Sequence, residues 1–137
     1  MKTYQLSQLE KVSLKKKLSE KIRTHPEILF CYIHGSIMDS SWFRDVDLAV
    51  YLKEDSIEDV YTYETKVSLE LESLVGLPVD VKVLNVAPLS FQYQVSKGEV
   101  LFTRDEDTRT SFLERTWLLY LDLKPVREEY YRELLKE

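Results

Sequence analysis

Two aspartates lie at a spacing that could bring their carboxylates together. Asp45 and Asp47 are two residues apart in a segment, 45–52, that alternates polar and apolar residues. Side chains at positions i and i+2 of a β-strand point to the same face, so these two carboxylates are expected to converge. Two close like charges on a half-buried strand are costly unless a cation neutralises them, and Mg²⁺ prefers such oxygen ligands. The spacing therefore favours a metal site, although an Asp-x-Asp pair alone is common by chance.

A third aspartate lies in another predicted strand. Asp80 is flanked by Val79 and Val81, where an unpaired carboxylate would be costly. If this strand lies beside that of Asp45 and Asp47, three carboxylates face one point and could hold two metal ions for an in-line displacement at phosphorus. The alternative is that Asp80 pairs with Lys82 on the same face of its strand.

A Gly–Ser pair follows the most apolar segment of the chain. Gly35 and Ser36 come after the run 28–34. Glycine lets the backbone approach a ligand closely, and the amides of the next turn, with the Ser36 hydroxyl, could hold a polyphosphate. The pair alone says little. The whole order of strand, Gly–Ser, short helix, Asp-x-Asp strand, helix and Asp strand favours metal-dependent nucleotidyl transfer.

The composition excludes several classes of protein. The chain has 137 residues with a net charge of −5, which argues against a general nucleic-acid coat protein. A single cysteine, Cys31, excludes an intrachain disulfide framework and is expected to be a small buried residue. No apolar run approaches the roughly 20 residues needed to cross a bilayer, and the N-terminus lacks a signal-peptide pattern. We therefore expect a cytoplasmic protein that contacts neither membrane nor nucleic acid directly.

The hydrophobic patterning predicts an α+β fold with a mixed sheet, and helices packed on one side of it. Ser7 and Glu10 have the spacing of a capping box, which begins the first helix. We expect a single domain, 1–137, with a core of about 1–104 and C-terminal helices in about 105–137. The predicted helices span 7–24, 37–41, 56–76, 88–96, 105–121 and 125–137, and the predicted strands span 27–34, 45–52, 79–83 and 99–103.

The segment 112–121 is apolar on more than one helical face. Part of it must cover the sheet, and the rest is either buried within this domain or exposed for a partner protein. Tyr130 and Tyr131 are adjacent on a predicted helix and cannot both face one core, so they are candidates for a contact surface.

Taken together, Gly35-Ser36, Asp45-Val46-Asp47 and Asp80 resemble the motif of the polymerase-β-like nucleotidyltransferase superfamily. The segments 79–88 and 120–131 resemble the MntA-type antitoxins of HEPN–MNT toxin–antitoxin pairs. The resemblance extends over nearly the whole chain and implies the polymerase-β-like core fold.

The resemblance also implies an activity and a set of roles. MntA-type proteins transfer AMP from ATP, with Mg²⁺, to a tyrosine hydroxyl of a HEPN ribonuclease toxin, and this modification silences the toxin. By resemblance, Gly35 and Ser36 hold the triphosphate, and Asp45 and Asp47 bind the metal ions. Asp80 completes the metal site and could accept the tyrosine proton.

The chain departs from the family pattern between Ser36 and Asp45. The spacer 37–44 is shorter than is usual in the family, lacks its arginines, and ends with Arg44. Arg44 could contact a nucleotide phosphate or form an ion pair with a neighbouring carboxylate. His34 is expected to have a structural or supporting role beside the Gly–Ser turn.

Three functions follow from these observations. The first is an active protein adenylyltransferase. The second, which the altered spacer motivates, is an antitoxin that neutralises the HEPN toxin by binding alone. The third is a nucleotidyltransferase that acts on a small hydroxyl compound, although the chain is short for carrying a second substrate domain. Polynucleotide extension is disfavoured by the negative charge.

Overall fold

A computed structural model describes residues 2–136 of the chain. The strands are β1 (Ile28–His34), β2 (Val46–Leu52), β3 (Val79–Val83) and β4 (Glu99–Thr103). The helices are α1 (Gln8–Arg23), α2 (Ser36–Asp39), α3 (Val60–Val75), α4 (Leu89–Ser96) and α5 (Glu106–Leu134), and 3₁₀ turns lie at Glu54–Ser56 and Leu84–Val86. The α+β class with a mixed sheet is confirmed.

The four strands form one sheet in the order β3-β2-β1-β4. Strand β1 is antiparallel to β2 and to β4, whereas β2 and β3 are parallel. The parallel pair needs a crossover, and α3 supplies it. The chain therefore places the strand that follows α3 directly beside the Asp-x-Asp strand.

Helices cover both faces of the sheet, so the prediction of helices on one side was wrong. Buried residues of α1 and α3 pack on one face with Cys31 and Ile33. Val95 of α4 and Phe112 of α5 pack on the other face. The prediction failed because only the inward residues 46, 48, 50 and 52 of β2 looked apolar, whereas Ala49, on the opposite face, is also buried. The buried setting of Cys31 is confirmed, and burial raises the pKa of its thiol.

Capping residues near each end determine where most helices begin and end. The Ser7–Glu10 capping box is present at the start of α1. Helix α3 ends at Gly76, whose φ of 72° is the left-handed conformation that glycine adopts most readily. Helix α3 starts later than predicted, because Asp59 caps its first turn and a separate 3₁₀ turn contains Ser56.

Strand β3 lies at the edge of the sheet, and helix α3 satisfies its outward amides. The backbone N–H of Val79 donates to Glu72, that of Val81 to Ser68, and that of Val83 to Glu64. The three acceptors are spaced four residues apart, so they form one stripe along α3. This arrangement occupies donors that an exposed edge would otherwise offer to another chain.

The C-terminal part is one continuous helix rather than the two that were predicted. Helix α5 has 29 residues, with Pro125 inside it. Proline removes one backbone donor and normally ends or kinks a helix. The guanidinium of Arg127 donates to the carbonyl of Tyr120, next to the carbonyl that Pro125 deprives of an amide partner. Glu137, the last residue of the predicted final helix, lies outside the described residues.

The first half of α5 packs on the domain, and the second half does not. Phe112 and Thr116 are buried, and the ring of Tyr120 stacks on that of Tyr93 at a centroid distance of 3.8 Å. We call residues 126–135 the α5 arm. Five of its large side chains are more than half exposed: Val126, Tyr130, Tyr131, Leu134 and Leu135. Among residues 2–136, no helix is long and apolar enough to cross a membrane.

Candidate active site

One row of side chains crosses three strands at the end of the sheet. His34 of β1 lies opposite Asp47 of β2, and Asp47 in turn lies beside Asp80 of β3. Asp45 immediately precedes β2 and is partly exposed. The sheet order therefore places the third aspartate next to the Asp-x-Asp pair, as the sequence pattern predicted.

The three carboxylates lie close enough to share a cation. One carboxylate oxygen from each of Asp45, Asp47 and Asp80 lies within 4.8 Å of the other two, and all three residues are partly buried. The donor set consists only of oxygen atoms, which is the set that Mg²⁺ prefers. A divalent ion would relieve the repulsion between these three like charges. The residues present therefore fit Mg²⁺.

Burial and the neighbouring carboxylates both disfavour the charged form of Asp47. Burial, followed by the charge and hydrogen bond of Asp45 and the charge of Asp80, raises the pKa of Asp47 to about 7, although Lys82 acts in the opposite direction. The ammonium nitrogen of Lys82 lies 3.6 Å from Asp80 Oδ1, so the pairing considered from the sequence is present. Because both side chains are about half exposed, that ion pair is weak.

Gly35 forms the turn beside Asp47. Its φ is 85°, in the left-handed region, and it precedes the short helix α2. A Cβ atom at this position would overlap Asp47 Oδ2. Glycine is therefore required here both by backbone conformation and by the space that the Asp47 carboxylate occupies. Ser36 begins α2 and is exposed.

A cleft of about 490 Å³ opens beside this turn, and we call it the Gly35 cleft. Its walls come from the end of β1, from α2, and from the C-terminal end of α4. The residues that matter here are His34, Gly35, Met38, Gln94 and Lys97. Lys97 was not among the residues predicted from the sequence, since a single lysine after a short helix forms no recognisable motif. Its ammonium lies 4.9 Å from the ring centroid of Tyr93.

The remaining predicted residues have different surroundings. Arg44 is exposed, does not line the Gly35 cleft, and forms no ion pair within residues 2–136. His34 lines the cleft, and its ring meets that of Phe91 edge-on at 5.5 Å. Burial lowers the pKa of His34, and its Nε2 atom has no hydrogen-bond partner in the described part of the chain. The structural or supporting role of His34 stays a prediction.

A glycine turn, a short helix and three carboxylates at the same end of two adjacent strands are typical of a nucleotidyltransferase domain. Comparison with protein families gives the same class: residues 16–107 match the family described as "Polymerase beta, Nucleotidyltransferase". The match covers more than half of the 137 residues, and the chain belongs to this family. No curated protein matches the sequence.

Solved structures share the fold at low sequence identity. A chain of the toxin–antitoxin structure MntA–HepT superimposes with a TM-score of 0.72 at 20% identity, covering 90% of this chain and 98% of that one. A chain of the complex of tri-AMPylated Shewanella oneidensis HEPN toxin with MNT antitoxin gives 0.73 at 21%, with 90% and 98% covered. A toxin–antitoxin structure with AMP-PNP gives 0.73 at 22%, with 88% and 98% covered. The polymerase-β-like core is thus confirmed, in the form found in MntA-type complexes.

Proposed function

We propose that this chain is a Mg²⁺-dependent adenylyltransferase. It transfers AMP from ATP to a tyrosine hydroxyl of a HEPN-domain toxin in the cytoplasm and thereby inactivates the toxin. The observation that carries the proposal is the convergence of Asp45, Asp47 and Asp80 within 4.8 Å beside the Gly35 turn. An oxygen-only cluster next to a turn that admits no side chain suits a metal-bound polyphosphate.

Each residue has a role in this proposal. Asp45, Asp47 and Asp80 hold Mg²⁺, which when bound offsets the charge that develops on the α-phosphate and the departing pyrophosphate. The backbone at Gly35 and the hydroxyl of Ser36 hold the triphosphate, and Arg44 contributes a positive charge near it. A carboxylate oxygen of Asp80 accepts the proton of the attacking hydroxyl. A tyrosine hydroxyl has a pKa near 10, so such a proton acceptor within reach favours its attack.

The choice of substrate and partner is supported by the solved structures that share this fold. One of them contains a tri-AMPylated HEPN toxin with its MNT antitoxin, and another contains AMP-PNP. These statements describe those proteins. Their likeness over about nine-tenths of this chain favours ATP as the nucleotide and a HEPN protein as the acceptor.

The test begins with the product of the adjacent gene, which we expect to be a HEPN protein. The chain, that protein, Mg²⁺ and ATP labelled on the α-phosphate should yield labelled HEPN protein. Asp47→Asn should reduce transfer by a factor on the order of 10²–10³, the usual cost of losing one electrostatic stabiliser of a transition state. Asp122→Asn replaces an exposed aspartate of α5 and should transfer normally. Absence of label with the wild-type chain, or equal transfer by Asp47→Asn, would contradict the proposal.

A second function, neutralisation by binding alone, is favoured by the α5 arm. Its large apolar side chains are more than half exposed, which is typical of a surface that binds a partner protein. A protection experiment in cells that express the toxin distinguishes the two functions. If the double variant Asp45→Asn/Asp47→Asn protects such cells as well as the wild-type chain does, binding is sufficient. If protection is lost while the complex still forms, AMP transfer is required.

A third function, transfer to a small hydroxyl compound, is tested in the same assay. A set of small hydroxyl compounds would replace the HEPN protein as acceptor. Transfer to one of them at a higher kcat/KM than to the HEPN protein would favour this function.

A further inference from the structure

A second cavity is lined by two residues, Phe91 and Lys82, that contact His34 and Asp80 of the row described above. It occupies about 360 Å³ between the end of β3, the 3₁₀ turn Leu84–Val86 and the first half of α4. We call it the β3–α4 pocket. The residues used below are Lys82, Val86, Ala87, Pro88 and Phe91.

Two contacts locate the β3–α4 pocket relative to the aspartates. Lys82 lines it, and the ammonium of Lys82 lies 3.6 Å from Asp80 Oδ1. Phe91 also lines it, and its ring meets the ring of His34, which lines the Gly35 cleft. The β3–α4 pocket therefore contacts the row His34, Asp47, Asp80 at both ends, through Phe91 at His34 and through Lys82 at Asp80.

The walls of the β3–α4 pocket are apolar, and its charged groups are few. Val83, Val86, Ala87, Pro88 and Phe91 contribute carbon atoms, and Val86 is 58% exposed. The carboxylate of Glu64, which also lines the pocket, already accepts the backbone N–H of Val83. Lys82, on the side of Asp80, is the basic group among the lining residues. A ligand here needs an apolar body and one polar end.

We propose that the β3–α4 pocket binds the acceptor tyrosine of the partner protein, an inference that rests on the proposed function. A phenol ring covers the apolar walls, and its hydroxyl reaches the polar end beside Asp80. The short side chains of serine and threonine leave those walls uncovered. A polyhydroxylated compound would place hydroxyl groups against the apolar wall, where they have no hydrogen-bond partners, and this weakens its binding.

Transfer of AMP to a tyrosine at this position forms one bond to phosphorus and breaks one. A bond forms between the phenolic oxygen and the α-phosphorus of ATP, and the bond from that phosphorus to the pyrophosphate oxygen breaks. The phenolic proton passes to a carboxylate oxygen of Asp80. The products are an AMP–tyrosine phosphodiester and pyrophosphate.

Substitutions that block the pocket test this inference. Val86→Glu places a charge on the apolar wall, and Ala87→Leu reduces the space for a ring. Each variant should lower kcat/KM for the HEPN protein by about 10-fold or more, the discrimination that one misfitted group gives in an apolar pocket. The affinity for AMP-PNP, measured by calorimetry with Mg²⁺, should stay within about 2-fold of wild type. Val12→Glu is the matched control, because Val12 is 62% exposed on α1.

The outcomes separate this inference from the proposed function. If the wild-type chain transfers AMP and both pocket variants transfer it equally well, the inference is wrong and the function stands. If the wild-type chain transfers nothing to any acceptor, the function itself fails. Equal transfer to a HEPN protein whose acceptor tyrosine is replaced by serine also overturns the inference. Thermal melting accompanies each assay, and if Val86→Glu unfolds, Ala87→Leu decides the result.

Discussion

The carboxylate of Asp47 occupies the space that a side chain at position 35 would need. A Cβ atom on Gly35 would overlap Asp47 Oδ2, and the Gly35 backbone has a φ of 85°. The glycine of the Gly–Ser pair and the second aspartate of the Asp-x-Asp pair are thus in direct contact. Two motifs that are separated in the sequence form one structural unit.

Gly35→Ala should lower AMP transfer more than it lowers the stability of the fold. The new methyl group must displace Asp47 and the turn, so AMP transfer should fall by about 100-fold or more, the cost expected when catalytic groups are misplaced by about 1 Å. Transfer is measured with labelled ATP. Gly76→Ala is the control, since Gly76 has a φ of 72° but open space around it. It should lower the melting temperature through backbone strain and leave transfer unchanged. Normal transfer by Gly35→Ala contradicts the described contact.

The contribution of Asp47 to the stability of the metal-free protein should fall as the pH rises from about 4 through 7. The pKa of Asp47 is raised to about 7 in the folded protein, compared with about 3.9 for an unperturbed aspartate. Folding therefore favours the protonated carboxyl, and this contribution is lost when the group ionises. The asparagine in Asp47→Asn cannot ionise. The Tm of this variant minus the Tm of the wild type should therefore be about 3–6 °C larger at pH 8 than at pH 5.

Addition of Mg²⁺ at pH 8 provides the second half of that experiment. The ion should raise the Tm of the wild-type chain and have a smaller effect on Asp47→Asn. Asp122→Asn, at an exposed position of α5, should follow the wild type at every pH. Parallel Tm profiles for the wild type and Asp47→Asn would show that Asp47 has no raised pKa.

Lys97→Ala should weaken nucleotide binding more than turnover. Lys97 is the basic residue among those that line the Gly35 cleft, where a triphosphate is proposed to lie. Losing one such contact should raise KM for ATP by about 10-fold, equivalent to about 1.4 kcal/mol, while kcat changes less. Lys16→Ala, at an exposed position of α1, is the control. An unchanged KM would exclude Lys97 from the nucleotide site.

Ser68→Ala should destabilise the edge of the sheet. The substitution leaves the backbone N–H of Val81 without its acceptor, a loss of about 1–3 kcal/mol when the group is buried. Urea denaturation measures the free energy of unfolding. Ser73→Ala is a matched change at an exposed position of the same helix and should be nearly neutral. Equal effects of the two substitutions would contradict the role assigned to Ser68.

The parts of the fold with short-range signals were predictable from the sequence. Alternating apolar residues located β2 and β3, and the capping box and Gly76 marked helix ends. The convergence of Asp45, Asp47 and Asp80 followed from the i, i+2 spacing and the assumption that β2 and β3 are neighbours, which the structure bears out.

The features that were missed depend on tertiary contacts. Ala49 looked like part of a polar face, and its burial becomes evident only once α4 and α5 cover that face. Pro125 normally ends a helix, yet α5 continues through it with the aid of Arg127. Lys97 enters the site only because the end of α4 lies beside the end of β1.

The interaction between α3 and the sheet edge has a consequence for catalysis. Asp80 belongs to the outermost strand, and the amides of that strand are held by three side chains of a helix that contributes no carboxylate to the cluster. Detachment of this strand is a smaller event than global unfolding, and it removes one of the three acidic groups. Activity should therefore decline before the protein as a whole denatures. The rate of amide hydrogen exchange at Val81 should measure how often β3 detaches from the native sheet.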